Sequence, residues 1–295
     1  MITYQGKNAD TYVKLTEGKA HVILLSGQSN ASGWSLRNFL AEKISAEEMA
    51  RYDSGFENVL IDYNCDSNVS DAFVPVKMGQ GLNDGIGSVR FGPEIGIAEY
   101  LTANYPNEVF YIIKSSRSSS GLADVNGVFP NWLDGGTVLD DFSAHVQASL
   151  DRMKAAGLDP EIFAMVWMQG ETDAATLTAA KNYANREAEL LGKLYERFGA
   201  YMAEGGMAFL DAAIYEAPHF VHSDELNRSK RDFAQASVNH YFLDTNEQGL
   251  DTVHEATLLN APEVIDTNHY DSDDMIKLGR LFGETLGQVL TNAEK

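Results

Sequence analysis

Six short apolar runs, often β-branched, punctuate the chain: HVILL at 21–25, NVLIDY at 58–63, EVFYIIK at 108–114, IFAMVWM at 162–168, MAFLDAAIY at 207–215 and HYFLDT at 240–245. They are continuous rather than alternating, which predicts strands buried on both faces of a parallel sheet. Between them the apolar period becomes helical. GPEIGIAEYLTANY at 92–105 spaces Ile95, Ala98 and Leu101 for one helix face, with Pro93 suited to a first turn. Residues 139–157 set Phe142, Val146, Leu150 and Met153 on one face and reach Gly157, a helix-ending residue. Residues 176–203 and 272–290 continue the pattern, the latter through Met275, Leu278, Phe282, Leu286 and Val289, with Asp271 or Ser272 as its cap. Strands alternating with helices predict a three-layer α/β domain, and we read residues 1–295 as one such domain. Residues 64–91 read as a long loop carrying MGQGLNDGIGS. Loops of that length are usually functional or disordered, so this one is placed near the site. Its glycines match neither a Walker loop nor a dinucleotide fingerprint.

Charge narrows the partners. Lys and Arg number 22 against 43 Asp and Glu, a net of −21, which repels nucleic-acid phosphates and anionic membrane surfaces. A neutral polysaccharide is not repelled, and the same charge also reads simply as a solubility or salt adaptation. One cysteine, Cys65, excludes an intrachain disulfide and slightly favours the cytoplasm. The opening MITYQGKNADTYVKL lacks a leader's basic start and apolar run, and no stretch reaches the roughly 20 apolar residues of a span. A leader already removed leaves secretion open, and the oligomeric state is not legible.

Three segments carry candidate chemistry. In HVILLSGQSNASG a strand runs into Gly27, Gln28, Ser29 and Asn30, at the carboxyl end where α/β sheets bind ligands. Ser29 there reads either as a helix cap or as a nucleophile whose own N–H faces an oxyanion. A serine nucleophile needs a base. Of seven histidines, His21 and His145 read as structural, and His219, His222, His240 and His254 lack a distinguishing partner. His269, three residues after Asp266 in DTNHYDSDD, has a carboxylate within reach of a tight turn. Such a carboxylate fixes the imidazole tautomer and frees the other nitrogen to take a proton; Asp and His in a turn also read as plain surface residues. In VWMQGETDA, Gln169 is positioned to donate to an oxyanion, while Glu171 reads as a buried hydrogen-bond partner or as half of a glycosidase pair with Glu94 or Asp173. The glycosidase reading leaves the SGQSN and D-x-x-H segments unexplained.

Taken in order, GQSN at Gly27 to Asn30, GPE at Gly92 to Glu94, QGE at Gln169 to Glu171 and D-x-x-H at Asp266 to His269 resemble the SGNH hydrolase superfamily. The resemblance is to its branch of family-six acetylxylan esterases and sialate O-acetylesterase-like proteins, and it spans residues 21–290. It implies a flavodoxin-like α/β/α sandwich, an esterase for acetylated oligo- or polysaccharide, and no metal or cofactor. It also implies Ser29 as nucleophile, His269 as base and acid, and Asp266 as its orienting partner. The oxyanion would be held by Ser29 N–H, by Gln169 in place of the usual asparagine, and by a backbone N–H after EVFYIIK. Gln28, Asn30, Glu94 and Glu171 would support the site. This chain departs from the pattern in having SSRSSSGL where relatives have a Gly-Gly pair, which puts that last donor near Ser118 or Ser119, with Gly121 instead if the turn requires a positive φ. Ala31 also stands where methionine is usual. Trp34, Trp132 and Tyr270 are the expected sugar-stacking rings. Two rival readings share this scaffold: a carbohydrate-binding protein without turnover, and an esterase for small non-sugar acyl esters.

Overall fold

The computed structural model of the chain describes residues 10–85 and 87–293, so residues 1–9 of the segment read for a leader, and Ile86 of the glycine-rich loop, lie outside the described residues. In chain order the elements are β1 (Ala20–Gly27), α1 (Ser29–Ser32), β2 (Ser35–Leu36), α2 (Arg37–Lys43), α3 (Ala46–Ser54), β3 (Phe56–Cys65), β4 (Asn68–Val69) and β5 (Val74–Val76). Then come β6 (Arg90–Phe91), α4 (Glu94–Asn104), β7 (Phe110–Ser116), α5 (Val138–Ala155), β8 (Pro160–Met168), α6 (Leu177–Phe198), β9 (Ala208–Ala212), α7 (Ser223–Ala234), β10 (His240–Leu243) and α8 (Ser272–Ala293).

All six apolar runs become strands of one sheet, ordered β10-β9-β8-β1-β7-β3-β4. Their mutual pairings are parallel, and β4 and β5 add antiparallel to the outer strand β3. Side chains alternate across β1: Ile23 and Leu25 join a core built with α4 and α8, Val22 and Leu24 one built with α5, α6 and α7. This is the three-layer α/β sandwich that the continuous apolar runs predict. In detail, the second long strand, β3, lies outside the third, β7, whereas the flavodoxin order 2-1-3-4-5 puts it beside β1. β1 thus lies where the chain reverses its direction of strand addition, and crevices form at such switch points. No helix among the described residues is long and apolar enough to cross a membrane.

Packing explains several local choices. α4 and α8 touch backbone to backbone: a Cβ on Gly279 would stand 2.3 Å from the Pro93 carbonyl oxygen. Gly157, φ +81°, follows α5 in the left-handed conformation that closes a helix. The start of α8 is held differently from the sequence expectation. Glu255 accepts from Ser272 N at 2.9 Å and Ser272 Oγ at 2.5 Å, while Asp271 is engaged with His254 Nδ1 at 2.7 Å.

One ionic cluster lies inside the second core. Lys230 Nζ of α7 pairs with Asp211 Oδ1 of β9 at 2.5 Å, and the Asp211 carboxylate also meets the buried Glu187 carboxyl on α6. Burial and the Asp211 charge push Glu187 well above the ordinary carboxylate range. A carboxyl raised in the fold contributes its stability in full below its unfolded pKa, about 4.3, and loses it as pH rises through the folded value. Glu187→Gln is therefore expected to flatten the fall in Tm between about pH 5 and pH 8 and to be at least as stable as the wild type at the upper end. A thermal melt series measures this; an unchanged slope contradicts it.

Candidate active site

At the end of β1 the chain must turn out of the sheet beside β8. Gly27 has φ +142°, and a Cβ there would lie 1.9 Å from the Met168 carbonyl oxygen, so only glycine fits. Gln28 N then donates to that oxygen at 2.9 Å, and Ser29 begins the one-turn helix α1. Gln28, not Ser29, holds the N-cap position. The Ser29 side chain is therefore not spent on capping, and it lines a cavity of about 410 Å³.

His269 lines the same cavity. Its Nδ1 lies 2.8 Å from Asp266 Oδ2, while Asp266 Oδ1 accepts from Asn268 N at 2.9 Å and His269 N at 3.1 Å. Burial alone would raise the Asp266 pKa, but the His269 hydrogen bond and charge, with the two N–H donors, hold it below the usual range. The D-x-x-H spacing thus closes a turn in which the carboxylate orients the ring. No hydrogen bond joins Ser29 Oγ to His269 among the described residues; the two meet across the cavity. Catalytic hydrogen bonds are often long before substrate binds.

The turn after β7 supplies backbone donors. Ser119 has φ +58°, a left-handed conformation rare for a residue with a Cβ and concentrated at functional sites. It lines the cavity, and Gly121 does not take its place. Ser118 N is occupied, donating to Asp66 Oδ2 at 2.9 Å. The N–H groups of Ser29 and Ser119 have no protein acceptor among the described residues.

Asp66, which the sequence reading passed over, ties these parts together. Its Oδ2 accepts from Ser118 N, from Ser118 Oγ at 2.5 Å and from Ser32 Oγ of α1 at 3.0 Å. Trp34 continues the chain of contacts: Nε1 donates to Ser118 Oγ at 3.3 Å, and the indole lies flat on His269, centroids 4.4 Å apart and planes 5° from parallel. The buried Arg90 guanidinium sits 4.9 Å from the same indole. Trp34 does line the cavity, with its ring engaged by the histidine.

The QGE segment docks behind α1. Gln28 Oε1 accepts from Gln169 Nε2 at 3.1 Å and Gly170 N at 3.3 Å. Asn30 Nδ2 donates to Glu171 Oε1 at 2.8 Å and to Asn268 O at 3.2 Å, and its Oδ1 accepts from Tyr270 N at 3.2 Å, so one amide joins all three segments. Glu171 lines the cavity, its Oε2 buried without a partner. Glu94 is remote from the cavity, buried with Lys114 Nζ at 2.8 Å, and its Oε1 holds Gly92 N at 2.8 Å beside the end of α1.

Three expectations are corrected. Gln169 is not available as an oxyanion donor: its amide is buried and also donates to Ser120 O at 2.9 Å and Asp173 Oδ2 at 2.7 Å, leaving no N–H over. Trp132 is not a free stacking ring. It is packed against Trp167 and Phe142, with Nε1 donating to Ser120 Oγ at 3.0 Å. Tyr270 is likewise in the core, its hydroxyl donating to Ala213 O at 3.2 Å and lying 3.0 Å from Thr245 Oγ1. The open wall is instead made by Phe129, Phe220 and Ala175, with His219 Nε2 2.9 Å from Asn268 Oδ1 at the rim. Nothing in the sequence pattern marks Phe129 or Phe220, which sit in loops.

With this geometry in view, residues 19–287 match the family described as carbohydrate esterase, sialic acid-specific acetylesterase. The chain belongs to that family. It is a carboxylic ester hydrolase, and its family acts on acetylated sugars. A search of the curated proteins finds no match. Among solved structures the fold is similar to NanS (14% identity, TM-score 0.65, covering 93% of this chain and 98% of that one). It is also similar to a protein of Arabidopsis thaliana (14%, 0.61, 92% and 98%). A third is described as a novel carbohydrate acetylesterase from Xanthomonas citri (12%, 0.53, 92% and 56%). Identities this low speak to the fold alone.

Proposed function

We propose that this esterase removes O-acetyl groups from carbohydrate through an acyl-enzyme on Ser29. The observation that carries the reading is the Asp266–His269 pair, 2.8 Å apart, opening on the same cavity as a serine with no structural hydrogen bond. Asp266 stays ionised and accepts a hydrogen bond from His269 Nδ1–H, so Nε2 carries the lone pair that takes the Ser29 proton as the serine attacks the acetyl carbonyl. The negative charge formed on the carbonyl oxygen is met by the unengaged N–H groups of Ser29 and Ser119, fixed before substrate arrives. His269 returns the proton to the departing sugar hydroxyl, and water repeats the sequence to release acetate. Glu171 supports the site from behind, its Oε1 accepting from Asn30 Nδ2 at 2.8 Å. Trp34, Phe129 and Phe220 give the sugar ring an apolar wall.

The first test is acetate release from acetylated xylan, acetylated sialate and a chromogenic acetyl ester, comparing the wild type with Ser29→Ala at matched folded concentration. Loss in the variant supports the acyl-enzyme, and the ratio among substrates sets the sugar class. A second reading, an esterase of apolar acyl esters, is favoured by the exposed Val128, Phe129, Leu177 and Val221, which stand on segments that reach the cavity. Faster turnover of a long-chain ester than of acetyl sugars would support that reading instead.

Asp66 acts as a positioning residue in this scheme. Asp66→Ala frees the Ser118 turn and should lower kcat roughly tenfold to a hundredfold with little change in KM, the loss expected when a charge-assisted hydrogen bond of about 1.5–3 kcal/mol serves only the transition state. Asp66→Asn keeps an oxygen acceptor and should recover most of the rate. Steady-state kinetics on the chromogenic ester decide this; an alanine variant with normal kcat contradicts it.

A further inference from the structure

The catalytic cavity has a neighbour. A second cavity of about 580 Å³ opens beyond the carboxyl ends of β3 and β7. Ser116 and Arg117 line it where the next two residues, Ser118 and Ser119, line the catalytic one, and Pro130 lines it where Phe129 lines the other. The two linings therefore adjoin at two places along the chain.

Its chemistry is distinctive. The side chains of Asn64, Ser67 and Ser115 line it and make no hydrogen bond with any described residue. Asp141, exposed on the first turn of α5, is engaged only by Thr137 Oγ1 at 3.2 Å. Pro130, Trp132, Val138 and Phe142 line the same cavity. An amide, two hydroxyls and a carboxylate in one lining with apolar side chains suit a pyranose, whose hydroxyls pair with the former and whose C–H face covers the latter. Arg117, the one basic side chain of the lining other than His145, is 3.6 Å from Asp66, so Asp141 is the carboxylate left to disfavour an anionic ligand.

We propose that this second cavity is a subsite for a neutral sugar unit adjoining the acetylated one, which makes the enzyme's substrate an acetylated oligo- or polysaccharide rather than a free monosaccharide. The inference rests on the acyl-transfer reading for its catalytic arm but not for its binding arm. A volume of 580 Å³ falls in the range of about 300–1,000 Å³ that encloses small ligands.

The kinetic test compares kcat/KM on acetylated mono-, di- and trisaccharides of xylose and mannose with that on a chromogenic acetyl ester, for the wild type, Asp141→Ala and Asn64→Ala. The wild type should gain about tenfold or more with chain length, and the variants should lose that gain while the chromogenic ester is cleaved as before. Asp141→Asn serves if the Asn64 variant does not fold. Titration calorimetry with unacetylated xylo-, manno- and galacto-oligosaccharides reads the subsite without turnover; the wild type should bind at least one series, and Asp141→Ala should weaken it about tenfold. No gain with chain length, a gain that survives in the variants, or no binding of any series would each overturn the subsite. Silence on the chromogenic ester alone would instead count against Ser29, leaving calorimetry to decide the subsite.

Discussion

Ser29→Ala should abolish acetate release, with a loss on the order of 10⁶-fold in kcat, the scale seen when a serine nucleophile is removed and only the oxyanion donors and binding remain. The reason is local. Ser29 is buried at the first position of α1, makes no side-chain hydrogen bond and caps nothing, so its removal costs the fold little. The thermal midpoint of the variant should stay within a few degrees of the wild type, since losing one hydroxyl that leaves no partner unsatisfied costs about 1 kcal/mol or less. Acetate assay and thermal melt together check this. Activity near normal in a folded Ser29→Ala protein would remove the serine from the mechanism.

The second large effect belongs to Asp266→Asn. The Oδ1 position accepts from two backbone N–H groups, so an asparagine there keeps its oxygen on the turn and presents its amide N–H₂ to His269 Nδ1. That donor forces the imidazole proton onto Nε2, where the base needs a lone pair. We expect kcat to fall on the order of 10⁴-fold with substrate binding retained, as a reversed tautomer does in other serine hydrolases. Stability gives a second readout. A carboxyl depressed in the fold contributes stability above its unfolded pKa and loses it as pH falls through the folded one. The wild type should therefore lose Tm on acidification below about pH 4 more steeply than the variant. A chromogenic assay and melts at pH 3 to 7 test both statements; an active variant sinks the orienting role.

How much of this was legible in the sequence follows from what each residue does. The parallel sheet was, because strands buried on both faces leave continuous apolar runs such as HVILL and IFAMVWM. α7 was not: only Leu226 and Phe233 are apolar on its inward face, which otherwise carries Asn227, Ser229 and Lys230 with partners Ile214, Ala184 and Asp211, so the apolar period is too sparse to stand out. Asp266 and His269 were legible because their geometry is local, a turn of three residues. Asn30 and Glu171 stood in motifs and meet as expected, but only the fold brings them within 2.8 Å. Gln169 misled, because a strand-end amide looks the same in sequence whether it faces solvent or, as here, Gln28, Ser120 and Asp173. Trp132 and Tyr270 misled for a related reason: large aromatics beside a site are as well suited to filling its foundation. Asp66 was invisible because its partners lie 34 and 52 residues away. The left-handed Ser119 was foreseen only as a strain that glycine would relieve, and the chain instead keeps the serine and holds its neighbour with Asp66.

The central claim is the covalent step on Ser29. Rapid quenching of the wild-type protein during turnover of a chromogenic acetyl ester, followed by peptide mass mapping, tests it directly, since an activated leaving group speeds acylation and leaves deacylation as the slower step. The account predicts a single acetyl adduct on the peptide carrying Ser29, absent from the Ser29→Ala protein. An adduct on another residue, or steady acetate release in the Ser29→Ala protein, would contradict it.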